Sequence, residues 1–348
     1  MRLSMVVEAR DEYLAFELAL AARRLADEVL EVKPGTRVVI TADTQSDKRV
    51  VWANAQAVYA AGGVPVVIFY HTQPRPQMEP PDSVAAAIAN TDIWIEHSVS
   101  YIMYSHAWHK ALEAGVQYCE LGGMDADGMV RCIGKQNITL LAEMGERIIR
   151  LLTDCKEFRV TSELGTDVIF SNERVQVGMF KMKTNPEKIP VMLAGQVSWL
   201  PVEETVRGRI IADGILYPPT EVGLIQTPVE FEVAGGRIVS INGLREAKLL
   251  QDWINNLKDE TLYRIAHVSL GFNPGIMVPT GRVMEDERAF GDIDFGWGAW
   301  VGRPAAGHFD LTIRNVSYWV DGVQLCNNGI FVHPELAPLC REMGVPRH

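Results

Sequence analysis

The chain carries eight histidines, His71, His97, His106, His109, His267, His308, His333 and His348, and two of them sit in patterns that point to a metal. In His308-Phe309-Asp310, strand alternation puts the imidazole and the carboxylate on one face, about 7 Å apart along the backbone, with Phe309 opposite. A neutral imidazole and a carboxylate projecting side by side can share one divalent ion. His267 lies in Ile265-Ala266-His267-Val268-Ser269-Leu270-Gly271, an apolar, strand-like run where a polar side chain needs a partner. A backbone hydrogen bond would satisfy it; so would a place in the same metal site. Two histidines and one carboxylate make the facial triad suited to non-haem Fe(II), which leaves positions open for substrate and dioxygen. The same set could hold zinc with an activated water and act as a hydrolase. Donor identity does not separate the two.

These residues have to be positioned by a chain whose texture changes near residue 153. Before it, helical patterns over 8–32, 48–61, 83–89 and 105–114 alternate with apolar runs over 37–41, 64–69, 93–96 and 116–120. Strands that are apolar on both faces and alternate with helices predict a parallel sheet covered on two sides. No GxGxxG follows the first strand, so a dinucleotide site is not supported. After it, strand-like segments at 157–161, 167–170, 209–215, 229–233, 237–242, 309–314 and 317–320 are separated by turn residues, with one clear helix over 244–257. That pattern predicts an antiparallel α+β domain. The helix over 137–152 is expected to join the halves, which gives two domains, 1–153 and 154–348.

Length and composition agree with this division. At 348 residues the chain exceeds a typical single domain. With 47% hydrophobic and 22% charged residues it has apolar material for two cores and no signature of disorder. A net charge of −11, from 44 acidic and 33 basic residues, disfavours nucleic acid and anionic membrane as partners. No apolar run approaches a spanning helix, and the start lacks the pattern of a signal peptide. Cys119, Cys132, Cys155, Cys326 and Cys340 are odd in number and without CxxC spacing, which argues against a disulfide framework or cysteine zinc site. A reducing cytoplasm is the expected compartment.

Six motifs follow one another along the chain: Gly165-Thr166-Asp167; Trp199-Leu200-Pro201-Val202-Glu203-Glu204 followed by Gly208; Gly243-Leu244-Arg245-Glu246-Ala247; the His267 strand; Glu287-Arg288-Ala289-Phe290; and His308-Phe309-Asp310 with Arg314-Asn315. Taken in this order they resemble the aminopeptidase T-like metalloenzyme family, and more closely its oxygenase branch, the 2,5-dihydroxypyridine 5,6-dioxygenases. The likeness covers roughly residues 155–330, and the N-terminal half more loosely. It implies the aminopeptidase T-like fold. Peptidases of this family bind two metals, and His267 stands where their strand carries a metal-binding glutamate. The segment 286–298, which would supply a further histidine ligand, contains none. The resemblance therefore implies one Fe(II) per chain on His267, His308 and Asp310, and ring-opening dioxygenation. The competing reading is a metal-dependent aminopeptidase or cyclic-amide hydrolase, with Glu203 or Glu204 as a second-metal ligand rather than a solvated acid or a partner orienting a metal-bound histidine.

The resemblance also implies an acid/base residue from the N-terminal domain, matching here either His106 or Tyr104. An imidazole suits removal of an aromatic hydroxyl proton, so His106 is preferred. The expected partners are a small hydroxylated N-heteroaromatic ring, such as 2,5-dihydroxypyridine, and dioxygen. The expected assembly is a homo-oligomer. The run Phe295-Gly296-Trp297-Gly298-Ala299-Trp300 could wall a flat aromatic pocket, or serve as core or dimer contact.

Overall fold

Four apolar runs of the N-terminal half become one parallel sheet in the computed structural model, which describes residues 12–346. Its strand order is Val64–Tyr70, Arg37–Asp43, Ile93–Glu96, Gln117–Glu120. Helices Lys48–Ala60, Asp82–Ile88 and His106–Glu113 alternate with these strands, as the patterning predicts. Asp47 and Ser105 cap the first and last of them, accepting from the backbone N–H groups of Arg49 and Trp108. The helix expected over 8–32 is seen as Ala15–Arg24, continued by a wider π-type turn at Leu25–Val29; residues 8–11 lie outside the described residues.

The chain divides into two compact units, the first running to Lys135 and taking back Lys183–Val191, the second comprising Gln136–Met182 and Met192 onward. The returning segment lies beside the last parallel strand, where Val191 bridges to Cys119 and the Gln117 side chain donates to the Ile189 carbonyl, 2.9 Å. Where the pattern places the boundary at 153, the helix Ile138–Leu152 packs with the second unit, Gly145 lying against Met182 and Phe272.

The second unit holds two antiparallel sheets, one of eight strands and one of six. The six-stranded sheet has the order Gly223–Leu224, Ile215–Tyr217, Arg303–Ile313, Ile293–Trp300, Ile265–Gly271, Gln196–Trp199. Two details differ from the sequence pattern. The run over 209–215 is two strands, Arg207–Ala212 and Ile215–Tyr217, which turn at Asp213-Gly214 into different sheets. The glycine- and tryptophan-rich run is a strand at the middle of the six. Gly296 and Gly298 lower its apparent β propensity and hide it from a pattern search.

Alternation gives this sheet two unlike faces. Val268, Phe295, Trp297, Phe309 and Leu311 point to one side and are fully buried. Trp253 of helix Arg245–Leu257 packs edge-on against Phe309 there, ring centroids 6.0 Å apart. At the end of the sheet Trp199 meets Phe158 of the eight-stranded sheet, 5.9 Å. The other face is polar. Ser198, Ser269, Asp294 and Thr312 form one buried row in register across four strands. The next row is His267, Gly296, Asp310 and Tyr217. Among the described residues no helix is long and apolar enough to cross a membrane.

Candidate metal centre

His267 projects from the strand Ile265–Gly271, and His308 and Asp310 from Arg303–Ile313, all onto the polar face. Their donor atoms converge. His267 Nε2 and His308 Nε2 are 3.2 Å apart, His267 Nε2 and Asp310 Oδ1 3.2 Å, and His308 Nε2 and Asp310 Oδ1 2.9 Å. Among the described residues these three form the one group of metal-capable side chains with donors this close.

The proton inventory of this triangle fits a cation. His308 Nδ1 donates to the Ala299 carbonyl, 2.8 Å, so its Nε2 carries the lone pair. Ser269 Oγ donates to Ser198 Oγ, 2.8 Å, and so accepts from His267 Nδ1 at 3.1 Å; its Nε2 too faces inward unprotonated. With both rings neutral, two lone pairs and a carboxylate oxygen meet there, and a cation would take the place of the proton that Asp310 otherwise favours on His308. Spacing agrees as well. Donors on adjacent octahedral positions of an ion at about 2.1 Å would be about 3.0 Å apart, and tetrahedral ones about 3.4 Å. The observed sides of 2.9–3.2 Å lie close to these spacings, so the three donors could be shared by one divalent ion.

Electrostatics point the same way. Burial works to raise the Asp310 pKa, but the two histidines outweigh it and hold the carboxylate well below its ordinary range. Burial works to lower the His308 pKa, and Asp310 outweighs it, raising it. Neighbouring acids behave oppositely. Asp294 is fully buried and lies 3.5 Å from His267 Nδ1, beyond hydrogen-bond reach; burial, then Asp310 and Glu287, push its carboxyl pKa well up. Glu287, held by Gln196 Nε2 at 2.9 Å, is raised by burial and then by Asp310. Of the three acids here, Asp310 is the one whose environment favours the ionised form. The Trp300 ring stands 5.2 Å from that of His267.

Glu203 is engaged by two arginines. Arg264 Nε and Nη2 grip its two oxygens at 2.7 Å each, and Arg303 Nη1 adds a third contact at 3.0 Å. Burial favours the neutral acid there, but the guanidinium groups outweigh it and depress the pKa. Glu204 is exposed.

In the first unit His106 opens helix His106–Glu113 and is exposed, its backbone N–H donating to Glu79 Oε1. Tyr104 adopts a left-handed backbone, φ 72°, and its ring meets Trp108 edge-on at 5.5 Å. Tyr217, beside Asp310, and Asp294 went unremarked in the sequence, and Gly296, in register between His267 and Asp310, was read there only as part of a run that could wall a pocket or serve as core or dimer contact. Each is defined by cross-strand register, which no local pattern encodes.

The solved structure of 2,5-dihydroxypyridine dioxygenase from Pseudomonas putida KT2440 superposes with a TM-score of 0.78 at 17% identity, covering 93% of this chain and 99% of that one. Wild-type AmpT from Thermus thermophilus superposes with a TM-score of 0.67 at 15% identity, covering 92% and 100%. At these identities the likeness is one of fold, and it is the aminopeptidase T-like fold that the motifs imply. No curated protein matches the chain at a significant level. The family model for NicX, 2,5-dihydroxypyridine 5,6-dioxygenase, matches residues 23–333, nearly the whole chain, and with the His-His-Asp cluster on its polar sheet face this chain belongs to that family of ring-cleaving dioxygenases.

Proposed function

We propose that the protein binds one Fe(II) per chain on His267, His308 and Asp310 and uses it to open a hydroxylated N-heteroaromatic ring, 2,5-dihydroxypyridine being the first candidate. The observation that carries this is the triangle of two imidazole lone pairs and one carboxylate oxygen, 2.9–3.2 Å on a side. Fe(II) held there supplies the redox chemistry that allows a closed-shell ring to react with dioxygen. The chain's own residues do the rest. Asp310 provides the ionised carboxylate among the donors, and the positive charge that a divalent ion keeps beside it favours a deprotonated ring hydroxyl. His106 is the proposed acceptor of that hydroxyl proton, with Tyr104 the alternative. Trp300, beside His267, restricts access of water to the reacting ring. Both atoms of dioxygen enter the product, so no external reductant is consumed.

The two-metal peptidase reading loses support from Glu203, whose oxygens are taken by arginines. We further propose a homo-oligomer in a reducing cytoplasm. The five cysteines are buried thiols, and exposed Trp52, Tyr59 and Phe69 are apolar surface of the kind subunit contacts cover. The deciding experiment is oxygen uptake by anaerobically Fe(II)-loaded protein on adding 2,5-dihydroxypyridine. One dioxygen consumed per ring lost is the expected result. Ring loss without oxygen uptake would mean hydrolysis and overturn the reading.

A further inference from the structure

His267 and Asp310 come from strands that are not neighbours, because Ile293–Trp300 runs between them. Adjacent strands lie about 4.8 Å apart, which puts roughly 9–10 Å between the two ligand backbones. Their donor atoms are nevertheless 3.2 Å apart. Both side chains therefore lean over the middle strand, and the residue beneath them is Gly296, the register partner of both. A Cβ on Gly296 would sit 2.2 Å from His267 Nε2, 2.5 Å from Cδ2 and 2.6 Å from Cε1. All three of its nearest neighbours belong to that one ring.

The backbone does not demand glycine here. Gly298, two residues on, has φ +98°, in the left-handed region, whereas Gly296 is outside it. An alanine at 296 would meet no conformational strain, only the imidazole. We propose that Gly296 is a positioning residue for the metal: its missing side chain is the space through which His267 aims Nε2 at the ion. What the imidazole holds rests on the Fe(II) reading above; the steric requirement concerns the chain alone. Alanine would turn the ring away and strip it of Ser269, now 3.1 Å from Nδ1. The opposite face of the strand, Phe295 and Trp297, would stay packed.

The test combines metal binding with a thermal double-mutant cycle on the full chain. Fe(II) is added anaerobically and the bound metal counted after desalting; Tm is measured on metal-free wild type, Gly296→Ala, His267→Ala and the double variant. Gly296→Ala is expected to weaken Fe(II) binding by roughly 10-fold or more and to lower Tm, while in the His267→Ala background the same alanine leaves Tm unchanged. Wild-type affinity in Gly296→Ala, or an equal loss of Tm in both backgrounds, would overturn the proposal. Should Gly296→Ala fail to fold, folding of the double variant supports it and failure of both overturns it. Absence of Fe(II) from the wild type would sink the metal reading, while the Tm cycle would still decide the steric one.

Discussion

A neutral imidazole can ligate a metal only if its other nitrogen holds the proton, and the two histidines meet that condition through different partners. His308 relies on a backbone carbonyl, Ala299, that no substitution removes. His267 relies on a serine relay, Ser269 to Ser198. The acid/base assignment is likewise a matter of single side chains. Alanine at His106 is expected to leave iron content intact and slow turnover by about 10²–10⁴-fold, with Tyr104→Phe near wild type, as single-turnover kinetics on iron-quantified protein would show. The reverse pattern would transfer the role to Tyr104. At this scale the sequence was most informative where chemistry and local period coincide. His308 and Asp310 were legible because two residues of strand put them on one face, and His267 because a charge-capable group interrupted an apolar run. Gly296 was not legible, since its role is to leave room for a ring 29 positions away in the chain.

Between single residues and the whole chain, strand ends matter most. Arg264 immediately precedes one ligand strand and Arg303 opens the other, and Glu203 ties them together through three short contacts. Arg303 Nη2 also donates to the Ile265 carbonyl, closing the bracket onto the His267 strand. Replacing Glu203 with glutamine removes the charge and leaves two guanidinium groups short of an acceptor, a loss of about 1–3 kcal/mol. For a unit of this size that corresponds to a Tm lower by roughly 2–12 °C, readable by calorimetry. An unchanged Tm would mean that the arginines hold the strands without it. The elements themselves divide by how local their signals are. The parallel sheet and its helices followed from apolar runs, caps and turns. The middle strand of the six did not, because two glycines replaced the β-branched residues that mark a strand, and its place is fixed by neighbours on both sides.

On the scale of the whole molecule, buried ionisable groups set the response to pH. Burial and then Glu120 push Glu96 in the first unit up to about 8, and Tyr118 Oη and the Ile102 N–H both donate to its carboxyl. Burial pushes Asp292 in the second unit up to about 7. A carboxyl with a raised folded-state pKa lends stability that is complete below its ordinary value and lost as pH rises through the folded one. His97 is the opposite case: burial lowers it to about 4, so its contribution is complete above about 6.5 and lost on acidification. Between about pH 6.5 and 8 His97 no longer contributes a change, and the raised carboxyls, with the raised His308, make stability decline. Glu96→Gln should remove its share, moving the stability difference toward the variant by up to about 1.4 kcal/mol per pH unit. Parallel unfolding curves at every pH in that window would count against it. The row His267–Gly296–Asp310–Tyr217 has a different consequence at this scale. Because alternate residues face opposite sides of a sheet, a slip of one position in either histidine strand would send its candidate ligand into the apolar core, and a slip in the strand between them would put Phe295 or Trp297 where the gap at 296 stands. A misaligned chain could keep its strands and much of its burial yet lose the three-donor triangle, so, with the metal centre proposed above, metal bound per chain under saturating conditions would also report the fraction of molecules folded in the correct alignment.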